Sequence, residues 1–367
     1  MSSTFSCPCA IRDSDFFIRL LEVVHWRNLK YSSFCFERGL TVCTGRNGAG
    51  KTNLLEAIGL LCSGRSFRRA RYAELIQQGA KQFCLKMSFF REGFEHFLEL
   101  GGTAQQRKIT YNKQNITGKR LLLPVLFWMA EDWLLGSGPP ALRRAFLDET
   151  LIFFDPLYAH HFTRYHRALL SRNRVLQSGQ LADMEPWTET CIQSGGYLLS
   201  SRLQLLRSLQ HKLKEGNIQL HYLSSSSLHE EGSIALRKSF LASEQQERRY
   251  RCTVCGPHRD DLEILRQGCS LRGFSSRGES FSAVLELKEA QWYLLQEHDL
   301  APVILIDELG LGLDREALNR VLHFLRIPTQ VIGTLTDDRL HLVQNFCTSI
   351  LTLEMSSQKD SFLYPNL

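Results

Sequence analysis

Residues 45–53 read Gly45-Arg-Asn-Gly-Ala-Gly-Lys51-Thr52-Asn53, and this segment is the strongest indication of the fold class. It fits the pattern G-x-x-x-x-G-K-[ST], and it lies between a short apolar run, residues 40–44, and a segment, residues 51–61, that reads as a helix. Glycines in such a turn let backbone N–H groups close around phosphate oxygens, and the helix N-terminus adds a favourable dipole. We therefore predict a phosphate-binding loop; an incidental glycine-rich turn is the alternative.

Each residue of this loop is a candidate contact to a nucleotide. The candidates are Gly45, Arg46, Asn47, Gly48, Ala49, Gly50, Lys51, Thr52 and Asn53. Lys51 can neutralise phosphate charge, which makes it a candidate catalytic residue as well, and the hydroxyl of Thr52 can ligate Mg²⁺. The loop thus predicts ATP and Mg²⁺ as cofactors.

A second motif supplies the acids that a nucleotide site needs. The apolar run 303–306 is typical of a buried parallel strand, and it ends in Asp307 and Glu308. Asp307 is a candidate for the Mg²⁺ shell, and Glu308 is the candidate catalytic residue that would polarise an attacking water. Alone, this run would predict only a strand end, but together with the phosphate loop it predicts a Walker B strand.

The separation of the two motifs indicates how the chain is divided. Asp307 follows Lys51 by 256 positions, which suggests an ATPase head split by a large insertion. We expect an N-terminal extension at 1–15, the first part of the head at 16–135, an inserted helical lobe at 136–247 and the second part of the head at 248–367.

Local patterns give a coarse reading of the elements. Segments 16–24, 40–44, 83–90, 96–100 and 108–111 have strand character and predict a mixed sheet in the first section. Helical periodicity runs from about 139 to 213, with expected breaks at 183–186 and 195–196. A polar loop is predicted at 224–232, and strand character returns at 251–254.

Composition narrows the class of protein. The chain has 367 residues, 43 % of them hydrophobic, and its net charge of +6 is compatible with nucleic acid without establishing it. No signal peptide pattern and no apolar span of membrane length occur, so we expect a cytosolic location and no membrane partner. The eleven cysteines are scattered, and no second C-x-x-C or close His pair completes a zinc site with Cys252 and Cys255.

Six segments occur in one order over nearly the whole chain. They are 26–28, 45–53, 64–68, 138–148, 256–262 and 305–308. Together they resemble the RecF family. The resemblance implies an α/β fold, a phosphate-loop ATPase head of the ABC/SMC type with a mixed sheet, split by an inserted helical lobe. It also implies weak ATP hydrolysis and ATP-driven homodimerisation on single-stranded and double-stranded DNA at gaps or junctions. The family acts together with RecO and RecR to help load RecA.

Heads of this family are completed by a signature loop from the opposing subunit. Ser276 and Gly278 match its positions 31 residues before Asp307, and Asp314 matches the acid that follows the Walker B strand. The sequence departs from the family at Glu279, where Gln is usual, and at Ser280, where a basic residue is usual. A carboxylate beside a triphosphate is unfavourable, so we expect lower hydrolysis or weaker dimerisation.

The local candidate for DNA binding is a basic cluster just after the phosphate-loop helix. Its members are Arg65, Arg68, Arg69 and Arg71. Arg forks suit phosphate oxygens, and four like charges this close repel one another without an anion opposite. A solvated structural face is the alternative, since Glu74 is near in sequence.

Three other functions compete with that of a DNA-repair ATPase. A transporter-type ATPase would place the signature about a hundred residues after Lys51, not at the observed 225. A small-molecule kinase would lack the signature. An interaction protein that uses ATP only as a conformational ligand, with negligible hydrolysis, stays open.

Overall fold

The computed structural model describes residues 16–68, 70–116, 123–129, 131–179, 181–213, 217–274, 276–311, 313, 315–327 and 329–354. The expected extension 1–15 and two expected site residues, Arg69 and Asp314, lie outside these ranges. The described residues form two compact units, one within 16–129 together with 299–354 and one within 131–298. No helix within the described ranges is long and apolar enough to cross a membrane.

The elements follow one another along the chain in this order. They are β1 (Phe17–Trp26), β2 (Leu29–Cys35), β3 (Leu40–Thr44), α1 (Lys51–Ser63), α2 (Tyr72–Leu75), β4 (Gln82–Arg91), β5 (Phe94–Thr103), β6 (Arg107–Tyr111), β7 (Gln114–Asn115), β8 (Val125–Trp128), α3 (Leu134–Ser137), α4 (Pro140–Phe154), α5 (Pro156–Ser178), α6 (Glu185–Lys212), β9 (Ile218–Leu223), α7 (Gly232–Tyr250), β10 (Asp261–Arg266), β11 (Cys269–Ser270), α8 (Leu271–Phe274), α9 (Arg277–Glu297), β12 (Val303–Ile306), α10 (Arg315–Phe324), β13 (Val331–Thr334) and β14 (Ser349–Thr352). Short 3₁₀ turns occupy Leu181–Asp183, Asp337–Leu342 and Gln344–Phe346.

The first unit contains two separate sheets where one mixed sheet was expected. One is antiparallel and six-stranded, in the order β2-β1-β4-β5-β6-β7. The expected strands near 83–90, 96–100 and 108–111 are confirmed as β4, β5 and β6. The α/β class is therefore confirmed, but parallel and antiparallel strands do not share a sheet.

The second sheet of this unit is parallel and positions the nucleotide motifs. Its order is β14-β3-β13-β12-β8. The predicted strands at 40–44 and 303–306 are confirmed as β3 and β12, with β13 between them. Since parallel strands end at the same edge of a sheet, the residues after β3, β13 and β12 meet there.

Helix α1 lies between the two sheets. It contacts β1, β4 and β5 of the antiparallel sheet and β8 and β13 of the parallel sheet. Ten of its thirteen residues are buried, which explains why the helix is apolar nearly all round. The sheets thus fix the direction in which its N-terminus points.

The second unit is built on long helices around one core. Helices α4, α5, α6, α7 and α9 contribute to it, with a small antiparallel sheet in the order β11-β10-β9. Strand β10 pairs with β9, and α9 contacts α6. These contacts explain why the unit extends to residue 298, whereas the lobe was expected to end at 247.

Two expectations about this unit are wrong. Helix α6 runs through Gly195 and Gly196 without a break, because these positions face neighbouring groups and not solvent. No strand forms at 251–254 either. Arg251 adopts a left-handed conformation that ends α7, and the backbone N–H of Thr253 is bonded to the side chain of Asn173.

Buried ion pairs cross the core of this unit. Arg143 pairs with Asp261, Arg172 with Glu247 and Arg202 with Asp148, and all three guanidiniums are almost completely buried. Removing one partner of such a pair typically costs about 3–5 kcal/mol, because a buried charge is left unpaired. The segment 256–262, one of the six that resemble the RecF family, contributes Asp261 to the first of these pairs.

Candidate functional site

The loop after β3 has the backbone that phosphate binding requires. Gly45 and Gly50 have φ of +149° and +103°, in the range that favours glycine. A Cβ at Gly45 would lie 2.4 Å from the carbonyl oxygen of Leu353, and one at Gly50 would lie 2.8 Å from Oδ1 of Asn28. The loop therefore folds only because neither position has a side chain.

Lys51 begins α1 and its side chain folds back into the loop. Its Nζ donates to the carbonyl oxygens of Gly45, at 2.6 Å, and Arg46, at 3.0 Å. These bonds use two of the three N–H groups of an ammonium. The positive charge is thus held inside the curve of the backbone, where a phosphate would lie.

The two halves of the head meet at Asp307. Oγ1 of Thr52 donates to Oδ1 of Asp307 at 3.0 Å, although the residues are 255 positions apart. Thr334, at the end of the strand between them, also donates to this oxygen, at 2.7 Å. One hydroxyl and one carboxylate are oxygen ligands of the kind that Mg²⁺ prefers.

Glu308 is exposed and its backbone is strained. Its φ is +53°, a left-handed conformation that non-glycine residues rarely adopt, and its N–H donates to Oγ1 of Thr334 at 2.8 Å. Strain of this kind costs on the order of 1–3 kcal/mol and persists where neighbouring bonds hold it. The Thr334 bond thus holds the strained backbone of Glu308 at the end of β12.

Thr334 is the residue that sequence reasoning did not include among the site residues. Its hydroxyl accepts from the backbone of Glu308 and donates to the carboxylate of Asp307. In the sequence, the stretch 331–336 differs from transporter-type heads in having Thr and no His. What was not visible in the sequence is that β13 lies between β3 and β12.

Asn28 and Asn53 brace the loop from the side. Nδ2 of Asn28 donates to the carbonyl of Gly48 and Nδ2 of Asn53 donates to Oδ1 of Asn28, each at 2.8 Å. The indole N–H of Trp26 donates to the carbonyl of Asn53 at 2.7 Å. Asn53 therefore positions the loop through Asn28, in addition to its expected contact with nucleotide.

The basic cluster at 65–71 is divided by its contacts. Arg68 donates to Oδ1 of Asn53 at 2.9 Å and lies 3.7 Å from the buried carboxylate of Glu56. Glu56 also binds Arg27 through both oxygens. The side chains of Arg65 and Arg71 are exposed, with no ion pair to any acid that the structure describes. These contacts favour the structural alternative for Arg68 and leave Arg65 and Arg71 open to solvent.

The expected signature residues lie in the second unit, at the start of α9. Ser276 is the N-cap, and its Oγ accepts from the N–H of Glu279 at 3.2 Å. Oε2 of Glu279 accepts from the N–H of Ser276 at 2.8 Å, and this bond keeps the pKa of Glu279 below its ordinary value. The unusual acid thus has a local partner, while Gly278 is exposed with no atom near its missing Cβ.

The geometry therefore joins some of the expected site residues and not others. Lys51, Thr52, Asp307 and Glu308 lie in the first unit at the edge where β3 and β12 end. Ser276 and Gly278 belong to the second unit. The arrangement of the first set is what a nucleoside triphosphate with a divalent ion would need.

Comparison with known proteins gives consistent matches along the chain. A family model described as an AAA domain matches residues 21–297. The chain is 35 % identical to the DNA replication and repair protein RecF of Protochlamydia amoebophila, over 88 % of this chain and 94 % of that protein. It is 32 % identical to RecF of Chlamydia caviae, over 86 % and 91 % of the two chains.

Solved structures give the same result. The structure of the recombination mediator protein RecF-ATP in the RecFOR pathway superimposes with a TM-score of 0.80 at 26 % identity, covering 88 % of this chain and 93 % of that one. The Smc head domain from Pyrococcus furiosus aligns with a TM-score of 0.56 at 16 % identity, covering 93 % and 94 %. The second likeness shows the fold alone, and it confirms the ABC/SMC type of head.

Proposed function

This chain belongs to the RecF family of DNA replication and repair proteins, and on that premise we propose that it is an ATP-dependent DNA-binding protein of recombinational gap repair and replication. Its role is that of a recombination mediator, as the relative solved with ATP is described. The observation that carries the proposal is the bond between Thr52 and Asp307, since it unites the two nucleotide motifs.

ATP is the nucleotide that these residues fit. The AAA-domain match and the relative described as RecF-ATP support it. The backbone N–H groups of residues 45–50 and the ammonium of Lys51 bind the phosphates, and the start of α1 adds its dipole. Arg46, Asn47 and Gly48 are exposed at the loop tip, where they can contact the nucleotide from outside.

The two acids at the end of β12 have different proposed roles in hydrolysis. Thr52 and Asp307 would hold Mg²⁺, which supplies positive charge at the phosphates during hydrolysis. Glu308 accepts a proton from a water and orients it for attack. Thr334 positions both acids. Slow turnover is expected, because Glu308 is exposed at the end of β12 while Glu279 adds negative charge at the signature.

The switch that ATP operates is a homodimer. Ser276 and Gly278 of one copy complete the nucleotide site of the other, as the family resemblance implies, and Asp314 acts across the same contact. The dimer forms on DNA at gaps or junctions, contacts RecR and RecO, and assists RecA loading indirectly. Arg65, Arg68, Arg69 and Arg71 are the proposed DNA contacts of the head. Arg65 and Arg71 have no ion pair with any described acid, whereas Arg68, which is exposed too, lies beside Glu56.

A second candidate function follows from Glu279. Its ionised carboxylate at the signature would oppose the γ-phosphate, and the chain would then be an ATP-switched interaction protein with negligible hydrolysis. Both candidates require ATP binding and dimerisation. They differ only in turnover.

The test is the rate of ATP turnover with and without gapped DNA, for the wild type and for Glu308→Gln. The proposed function predicts slow turnover that gapped DNA raises and that the variant loses, while the ATP-bound dimer persists. Equal background rates in all four conditions, with dimerisation intact, would establish the interaction protein. Failure of the wild type to bind ATP would reject both candidates.

A further inference from the structure

A half-open cavity lies on the surface of the second unit, between α5 and α6. Its volume is about 490 Å³, and its lining residues are His160, Thr163, Arg164, Arg167, Ala168, Trp187 and Thr190. The α5 residues recur at spacings of three and four, so they share one helix face. The volume lies within the range of cavities that hold small ligands.

The walls of this cavity are basic. Arg164 and Arg167 are exposed, and neither has an ion pair with any acid in the described part of the chain. No acidic residue is among those that line the cavity. Glu189, next to Thr190 in the chain, is bound instead by Arg237 and Gln193. Two guanidinium forks are therefore available for an anion.

An exposed aromatic ring lies beside these charges. Trp187 is 39 % exposed, whereas Trp26, Trp128 and Trp292 are at most 5 % exposed. It follows Pro186 in the first turn of α6, where the helix start restricts the backbone. An exposed indole face next to Arg forks is the combination that nucleobases and their phosphates bind.

We propose that this cavity binds single-stranded DNA, with one base stacked on Trp187 and the adjacent phosphates bound by Arg164 and Arg167. Bases in a duplex have no free face for an indole, so the site selects single strands. The proposal rests on the proposed function in that DNA is the ligand. Binding of DNA in the cavity requires neither ATP nor a second copy of the chain, so the cavity proposal and the proposed function can fail separately.

The first arm of the test measures stacking. Binding of a labelled oligo-dT of ten nucleotides is followed by fluorescence anisotropy in the absence of ATP. The intrinsic tryptophan fluorescence is recorded in the same titration. We expect the wild type to bind with quenching and Trp187→Ala to bind about tenfold more weakly. Trp187→Phe keeps a stacking ring, so it should bind within about threefold of the wild type and lose the quenching. Wild-type affinity in Trp187→Ala would overturn the proposal.

The second arm measures the phosphate contacts. Arg164→Gln with Arg167→Gln should flatten the plot of log affinity against log salt by about 0.7 for each single-strand phosphate that is no longer neutralised. Arg207→Gln is the matched control, since Arg207 is exposed on α6 and does not line the cavity. An equal slope in the double variant and the control would overturn the proposal. Displacement of oligo-dT by an equimolar poly-glutamate peptide would do so too, and would assign the cavity to acidic peptides.

The two arms also separate this proposal from the function of the head. If oligo-dT binds as expected while no ATP-dependent dimer forms on DNA, only the proposed function fails. If that dimer forms but the Trp187 and Arg variants bind oligo-dT as the wild type does, only the cavity proposal fails. Melting curves of each variant check that the exposed substitutions leave the fold intact.

Discussion

A single hydroxyl, that of Thr334, binds both acids of the proposed nucleotide site. It receives the N–H of Glu308 and donates to the carboxylate of Asp307, which also binds Thr52. The identities of Lys51, Thr52, Asp307 and Glu308 as candidates could be predicted from the sequence, because each belongs to a motif of fixed spacing. Thr334 could not be ranked with them, because its position depends on the strand order.

Thr334→Val tests this arrangement. Valine preserves the shape of threonine but leaves the N–H of Glu308 and one oxygen of Asp307 without the partner they had, which typically costs about 1–3 kcal/mol. We expect the Mg²⁺ concentration for half-maximal ATP binding to rise at least severalfold, measured by titration at fixed ATP. Thr334→Ser restores the hydroxyl and should behave as the wild type. An unchanged Mg²⁺ requirement in the valine variant would remove Thr334 from the site.

His258 gives the second unit a pH-dependent stability. Burial lowers the pKa of His258 from 6.5 to about 4, and its ring binds the hydroxyl of Tyr165. In the unfolded chain His258 is therefore protonated below about pH 6.5, whereas in the folded chain it stays neutral until about pH 4. The stability from this group is complete above pH 6.5 and falls as pH decreases.

We expect the free energy of unfolding to drop by about 2 kcal/mol between about pH 7 and pH 5 from this group. Urea unfolding at both pH values measures the drop. His258→Gln removes the titration while it can keep one hydrogen bond, so its drop should be smaller by about that amount. Equal drops in the two proteins would show that His258 is not the group that titrates.

Helix α6 differs from what its Gly-Gly pair predicted. A Gly-Gly pair commonly interrupts a helix, and a break was expected at 195–196. The pair instead lets α7 pack closely against α6, since a Cβ at Gly196 would lie 2.5 Å from the backbone nitrogen of Ser233. Strands β3 and β12 could be predicted to the residue, because continuous apolar runs led into chemical motifs. Strand β9 was missed although residues 218–222 alternate between apolar and polar, because the segment is short and directly follows a region with helical periodicity.

Gly196→Ala should therefore destabilise the protein by about 1–3 kcal/mol, since α6 and α7 must move apart. Denaturant unfolding measures the effect. Gly101→Ala, in β5, is the matched control because a Cβ there meets no atom within 4 Å. If both variants unfolded at the same denaturant concentration, the close contact of α6 with α7 would be refuted.

The segment between α1 and α2 provides the test of DNA binding by the head. Arg65 and Arg71 are exposed, whereas Arg68 is bound to Asn53 and Glu56. Changing Arg65 and Arg71 together to Ala should weaken binding to all duplex sequences alike, and should flatten the salt dependence by about 0.9 for each duplex phosphate that is no longer neutralised. Lys113→Ala, at the turn between β6 and β7, is the control. A slope unchanged from that of the control would return the cluster to a structural role.

The spacing of the two sequence motifs predicted a head that is divided by a large insertion. The division into compact units differs at the second junction, residue 298 instead of 247. No local pattern could have shown this, because it depends on the pairing of β9 with β10 across an intervening helix. The expected signature residues Ser276 and Gly278 thus belong to the unit that contains the inserted segment, while the predicted phosphate loop and Asp307 belong to the other.

The proposed function requires that two copies of this chain complete one another's ATP sites. Its direct test is the mass of the protein with saturating ATP and duplex DNA, measured by light scattering for the wild type and for Ser276→Arg. The substitution lies at the exposed start of α9, so ATP binding to each monomer should be unchanged. We predict a dimer for the wild type and a monomer for the variant. An ATP-dependent dimer of Ser276→Arg with the affinity of the wild type would show that Ser276 does not complete the ATP site of a second copy.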